Sequence, residues 1–214
     1  MPLGVAIEFA YLPLRTQRKE QIVNAPAWLW SDEFDFVGKV GPDDLEEWRM
    51  STQHGLYRPS PMLEAMLQAA LADRCKLAVH RVPATFPGFA LVVSSRGPNR
   101  KRLAEAKPDE TIPDNAQKMY EDGKMVPILS SDDPVTHFYE TSMVSLAAVL
   151  SSWGAPVEDQ TGLTGKYDFA LTRLSTIGDP SVDWDVAALG LKLKPIKIQT
   201  ENIVIDHIER PSPN

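Results

Sequence analysis

Four histidines and one cysteine are the residues of this 214-residue chain best suited to proton transfer, metal ligation or nucleophilic attack. His54, His80, His137 and His207 are far apart in sequence and none stands at a metal-ligand spacing from another, so no metal site is expected. His207 lies beside Asp206 and Glu209, a trio of the right types for general acid–base work. Neighbouring side chains of a strand leave on opposite faces, however, which turns Asp206 away from His207. Polar groups on a solvated sheet face are the plainer account of His80 and His207. Cys75, in ADRCKLAVH, reads as a small buried apolar residue and not as a nucleophile.

The carboxylates Asp35 and Asp168 each sit between two aromatics, in Phe34-Asp35-Phe36 and Tyr167-Asp168-Phe169. As a hydrolytic pair they would need to approach to roughly 5 to 10 Å. The plainer role is a solvated strand face, or a carboxylate accepting backbone hydrogen bonds from a turn. Tryptophans are the better lead. Trp28, Trp30, Trp48 and Trp184 lie in or beside irregular segments, where exposed aromatics favour peptide or glycan contact, although capping a small core is their usual work. Trp153 completes a helix stripe. Trp28, Trp30, Asp35, Asp168 and His207 are thus the candidate binding residues, with no catalytic residue and no cofactor assigned.

No phosphate loop, dinucleotide glycine fingerprint, Gly-x-Ser-x-Gly elbow, His-Glu-x-x-His pair or Cys-x-x-Cys occurs in the sequence. With 43% hydrophobic and 24% charged residues the composition is that of a globular chain. A formal charge of −7 argues against a nucleic-acid partner, which needs clustered Lys and Arg. The one basic cluster, Arg96 to Arg102, reads as a solvated link. No apolar run approaches the ~20 residues of a membrane helix, and no signal peptide stands in these residues.

The elements that must position these residues are legible as patterns. Leu3, Ile7, Ala10, Tyr11 and Leu14 recur at helical spacing until Pro13. SPMLEAMLQAALADR is a stronger helix, with Ser60 to cap, Pro61 at the first position and a stripe of Leu63, Met66, Leu67, Ala70 and Leu71. Between them, IVNAPAWLW reads as an extended segment with a Pro-containing turn, and Phe34-Asp35-Phe36-Val37 as a half-buried strand. KLAVHRV and GFALVVSS read as a hairpin interrupted by PATFP. Downstream, VTHFYE is a strand, Ser142 caps a helix carrying Leu146, Val149 and Leu150, and Tyr167, Phe169 and Leu171 share one face of a strand. DPSVDWDVAALGLKL predicts a short helix capped by Asp179 or Ser181 and ended near Gly190, and KPIKIQ with NIVIDHIE predicts a strand pair joined through TEN.

Set side by side, residues 1–98 and 135–214 read as a tandem repeat of one α+β unit, two small helix-on-sheet units separated by a Pro-rich link over 99–134. The second unit has a lead strand, VTHFYE, that the first lacks, so the first should expose a sheet edge to strand addition, or the chain is a shortened form of something longer.

MLQAALADRCKLAVHR, GFALVV, PVEDQTGLTGKYDF and the terminal VIDHIERPSPN resemble the signature blocks of a large paralogous family of unknown function, abundant in soil acidobacteria. APAWLWSDEFDF is similar to its Pro-x-Trp-Leu block through Pro26, Trp28, Leu29, Phe34 and Asp35, and Thr161 to Gly165 with Tyr167-Asp168-Phe169 is the most specific match. The resemblance covers nearly the whole chain. Cys75 departs from it, standing where an aromatic is usual, and the family's leader and first strand have no counterpart here. Members look exported, some fused behind membrane metallopeptidases of the β-lactam-sensor type, which implies an extracytoplasmic place. The doubled unit also looks like the N-terminal signalling modules of secretins and TonB-dependent receptors, an analogy of topology.

The expected protein is therefore a non-enzymatic binding or sensing module for a protein or peptide partner, with no nucleic acid and no membrane insertion. A homo-oligomer is compatible with it. The rivals are a hydrolase with its site between the repeats, which needs converging carboxylates and histidine, and an assembly subunit that pairs through the bare edge.

Overall fold

The structure is a computed structural model and describes residues 1–12, 19–52, 61–107, 111–119, 122–126, 134–151, 155–174 and 184–211. It is a mixed α+β protein with two sheets. Two compact units divide the chain, Met1–Phe86 with Gln199–Asn214, and Pro87–Ile198. This division differs from the expected boundaries at 98 and 135, because the last part of the chain returns to the first unit.

In the first unit, helix α1 (Leu3–Tyr11) buries Leu3, Ala6, Ile7 and Ala10, an i, i+3, i+4, i+7 stripe of the kind the spacing predicts. It packs with helix α4 (Pro61–Cys75), which begins at the expected proline. That helix buries less of its stripe than expected: Leu71 and Cys75 are buried and Leu67 lies against the core, but Leu63 remains exposed. Two further helices lie between them, α2 (Trp28–Ser31) and α3 (Leu45–Thr52).

Strand β1 (Ile22–Val23) pairs in parallel with β9 (Leu191–His207), Ile22 opposite Ile203. Ile203 is fully buried among Ile7, Leu29 and Leu71. β9 neighbours β2 (Ala78–Val93). Both are single long strands, and the unit boundary falls inside each, after Phe86 and after Ile198. The expected hairpins are thus corrected to continuous strands. Pro83 and Pro87 are four residues apart, an even spacing that puts both missing N–H donors on the same edge of β2 and leaves the ladder on the other intact. TEN does not turn because buried Gln21 holds it: Gln21 Nε2 donates to the Glu201 carbonyl (3.2 Å) and to Thr200 Oγ1 (3.4 Å).

In the second unit, β3 (Ala104–Glu105), β8 (Tyr167–Thr172), β6 (Val135–Thr141), β5 (Lys124–Val126) and β4 (Gln117–Lys118) lie in that order in an antiparallel sheet. The segment expected as a link therefore supplies three strands. β7 (Val157–Asp159) pairs in parallel with the end of β2. Helix α5 (Met143–Ser151) is capped by Ser142, whose Oγ accepts from Ser145 N (3.2 Å), as its sequence predicts. Its Leu146 and Leu150 are fully buried against the sheet, where Phe138 and Phe169 stack at 4.8 Å and Trp184 meets Phe138 edge-on at 6.2 Å. The expected last helix shrinks to a 3-10 turn at Val186–Leu189, capped by Asp185 and ended by Gly190 at φ 75°. Asp179, Ser181, Ser60, Leu14, Pro13 and Trp153 lie outside the described residues.

The two units are not copies. Asp168 lies in β8, whereas Phe34-Asp35-Phe36 is no strand: only Glu33 bridges, to Pro2, and Phe34 exchanges hydrogen bonds with Met1. The aromatic-Asp-aromatic pattern has the same spelling in two different backbones, and Asp35 and Asp168 are not equivalent.

One contact in the first unit is tight enough to test. A Cβ added to Gly4 of α1 would stand 2.5 Å from ring atoms of Trp30. Alanine gains about 1 kcal/mol over glycine in a helix, but overpacking of this kind costs roughly 1–3 kcal/mol. Gly4→Ala should therefore destabilise the native protein in urea denaturation, and should stabilise it when placed in a Trp30→Ala background. A stabilising Gly4→Ala in the native sequence would show that the ring does not bear on α1.

Candidate functional site

The aromatic residues flagged by the sequence are brought together in the first unit by a single helical turn. Leu29 N donates to the Pro26 carbonyl (3.0 Å), Trp30 N to that of Ala27 (3.1 Å) and Asp32 N to that of Trp28 (3.0 Å), which corrects the expected extended segment. The turn drives Leu29 into the core and leaves Trp28 and Trp30 half-buried on either side of it. Each ring carries a cation. The Arg210 guanidinium lies 5.4 Å from the Trp28 centroid and also bonds Asp32 at 3.1 Å, while Lys19 Nζ lies 4.9 Å over Trp30. The Arg210 end of the chain is fixed by Glu209 N donating to the Cys75 carbonyl at 2.7 Å.

Past the tryptophans the chain changes character. Met1 N donates to the Phe34 carbonyl (2.8 Å) and Phe34 N to the Met1 carbonyl (3.0 Å). From Asp35 to Val40 no backbone hydrogen bond forms among the described residues, and neither helix nor turn interrupts the run. Asp35 is exposed, as are Phe36 and Val37, the latter at 89%.

The histidines do not converge. His80 Nδ1 lies 2.8 and 3.0 Å from the two oxygens of Asp206, and His207 Nε2 lies 2.9 Å from Glu209. Strand alternation thus separates Asp206 from His207, and all four side chains are about half exposed. His137 stacks on Tyr139 in the second unit, and His54 lies outside the described residues. Among the described residues no group of three or more His, Cys, Asp or Glu is placed to hold a metal ion. Burial pushes the Cys75 thiol up, the direction opposite to that of an activated nucleophile. Trp184 is core, and Trp48 is half-buried on α3.

Asp168 serves its own sheet. Its Oδ1 accepts from Glu140 N at 2.7 Å, where β6 bulges between Phe138 and Thr141 and Glu140 takes φ 49°. A bulge frees one backbone donor, and the carboxylate satisfies it.

Sequence reasoning missed Glu8 and Asp122. Burial pushes the Glu8 carboxyl up, Glu20 adds to this and Lys19 opposes it. Only the three-dimensional meeting of α1 with residues 19–20 produces that environment, and an acid between Ile7 and Phe9 gave no hint of it. Asp122 accepts from Ser145 Oγ (2.6 Å) and Ser142 N (3.0 Å) at the start of α5, with Lys166 4.0 Å away. Burial pushes its carboxyl up, but these bonds and the ammonium outweigh burial and hold it below the ordinary 3.8. A carboxylate at a helix N-terminus is a stabilising arrangement in its own right.

No described helix is long and apolar enough to cross a membrane. A sequence-family profile described as a protein of unknown function (DUF3738) matches residues 5–208. No curated protein and no solved structure matches the chain.

Asp168→Ala would strand the Glu140 N–H and should cost about 1–3 kcal/mol in urea denaturation, with Asp168→Asn, which keeps an acceptor, costing less. An equal loss in the two variants would refute the backbone role. For Asp122 the folded-state carboxyl is held low, so its stabilisation is present above the unfolded value and is lost as pH falls through the folded one. Asp122→Ala should thus lower stability by about 1–2 kcal/mol at neutral pH. The gap to the parent should close below pH 3.8, and a gap unchanged at pH 2 to 3 (roughly, on the ordinary carboxylate scale) would contradict the assignment.

Proposed function

The chain belongs to the DUF3738 family of proteins of unknown function, and on that premise we propose that it is a non-enzymatic binding or sensing module that works outside the cytoplasm and engages a protein or peptide through its first unit. The observation that carries this reading is the run from Asp35 to Val40, which hydrogen-bonds to nothing among the described residues while presenting Phe36 and Val37 to solvent. Six residues of unbonded backbone next to exposed apolar side chains are the raw material of peptide recognition. Trp28 and Trp30 sit just upstream on a turn anchored by Leu29, so their rings are preorganised contact area at small entropic cost.

The other candidates favour structural duties. Asp168 is committed to a backbone N–H, and His80 and His207 each face one carboxylate on a solvated strand. An extracytoplasmic place is supported by the resemblance to exported family members alone.

A panel of short peptides of basic, acidic, aromatic and proline-rich classes, titrated by fluorescence anisotropy, tests the binding role. At least one class should bind saturably at a Kd of about 100 μM or tighter. Val37→Glu should weaken that binding, while Lys192→Ala in the second unit should leave it intact. Failure of every class to saturate, or equal effects of the two substitutions, would overturn the reading.

A further inference from the structure

We propose that the core of the second unit holds one ordered water molecule, hydrogen-bonded between the indole N–H of Trp184 and the hydroxyl of Thr136. This site is independent of the binding role proposed above. Two buried polar groups carry the inference: Trp184 is 4% exposed and Thr136 1%, and neither Trp184 Nε1 nor Thr136 Oγ1 has a hydrogen-bond partner among the described residues.

Sheet register brings the two groups to one place. Arg173 N donates to the Pro134 carbonyl (2.8 Å) on the β6 side of β8, and Asp185 N donates to the Thr172 carbonyl (3.1 Å) on the other side. The antiparallel bridge of Arg173 with Trp184 therefore lies across β8 from β6. Bridged residues share a sheet face, and alternation along β8 puts Arg173 on the face of Leu171 and Phe169. On β6, Thr136 stands opposite Leu171 and Phe138 opposite Phe169, so both belong to that face as well. The Trp184 ring meets Phe138 edge-on at 6.2 Å, which requires the indole to reach over β8 to β6. There the next residue along the same face is Thr136.

The chemistry of the guest follows from the two groups. An indole N–H only donates, whereas a hydroxyl both donates and accepts. Buried polar groups left unmet cost free energy, and native cores satisfy them with protein or with ordered water. Trp184 and Thr136 do not satisfy each other directly, since both lack a partner. A water molecule can accept from Trp184 and donate to Thr136, and it is the smallest guest that does both. The surrounding Phe138, Phe169 and Leu171 are buried and apolar, so they offer no oxygen in its stead. The Phe138 ring is a far weaker acceptor of an N–H than an oxygen is.

The test uses the full chain. In water-selective NMR the indole proton of Trp184, identified by its loss in Trp184→Phe, should show contact with a long-lived bound water. A crystal structure should place that water within about 3.2 Å of both Nε1 and Oγ1. Urea denaturation reads the energetics. Thr136→Val keeps the shape of the side chain and removes the hydroxyl, so it should lower the unfolding midpoint by taking away one of the two anchors. Made in a Trp184→Phe background, the same substitution should have a smaller effect, because the bridge is already broken. A raised midpoint for Thr136→Val overturns the proposal, since removing a hydroxyl that is unmet in the folded protein relieves a penalty. An indole proton with no water contact overturns it too, whether the N–H points into the Phe138 ring or at Thr136 itself, and so do equal effects of Thr136→Val in the two backgrounds. Should Trp184→Phe fail to fold, the crystal water and the sign of the Thr136→Val shift decide.

Discussion

The first unit is closed by residues from the far end of the chain. Ile203 and Ile205 are buried with Leu3, Ile7, Leu29 and Leu71, and without β9 the stripe of α1 and the turn at Leu29 would face water. Burying side chains of this size is worth roughly 1.5–3 kcal/mol each, so the closing strand carries much of what holds that unit together. Its other ties are polar and local to the same unit: Gln21 to Thr200 and Glu201, Glu209 to the Cys75 carbonyl, Arg210 to Asp32 and over Trp28. Residues 200–210 therefore both seal the core and set the ring whose flank is the candidate contact surface. Such closure spans nearly the full chain length, and contacts of that separation form late and slowly compared with local helices.

That constraint also explains what the sequence could and could not show. Helices α1, α4 and α5 were legible because their signals are local: apolar spacing, a proline at the first turn, a serine cap. Tyr167, Phe169 and Leu171 were legible because alternation is equally local, and all three are buried on one face. The long strands were not legible. A proline or a polar tripeptide reads as a break unless the partner that satisfies the backbone is known, and for Thr200 and Glu201 the partner is Gln21, about 180 residues away. The apparent repeat failed for the same reason. Aromatic-Asp-aromatic spells a strand at 167–169, where β6 and β3 supply neighbours, and no strand at 34–36, where only Met1 and Pro2 do.

The candidate site shows a similar division. Residue type singled out Trp28, Trp30 and Asp35, which are close in sequence, and the fold leaves the two rings half-buried and Asp35 exposed. For Asp168 the plainer role is the one found, a carboxylate accepting a backbone hydrogen bond, although its donor lies in a β-bulge of the neighbouring strand that no pattern in its own segment announces. The cations over the two tryptophans come from residues 19 and 210, and their convergence is a property of the closed unit alone.

The bare edge at 35–39 raises a question of self-pairing, since an exposed run of unbonded backbone is also a template for a second copy. Two copies laid antiparallel about Val37 would set Asp35 against Lys39 twice, and exposed pairs of that kind are worth roughly 0.2–1 kcal/mol each. They would also bring together two segments of formal −5, within or near the ~8 Å over which physiological salt screens charge. Because Met1 and Pro2 already occupy the register beside Phe34 and Glu33, the pairing could not extend past Asp35 to recover more backbone bonds. The segment's charge and the short open register thus both limit self-pairing at this edge.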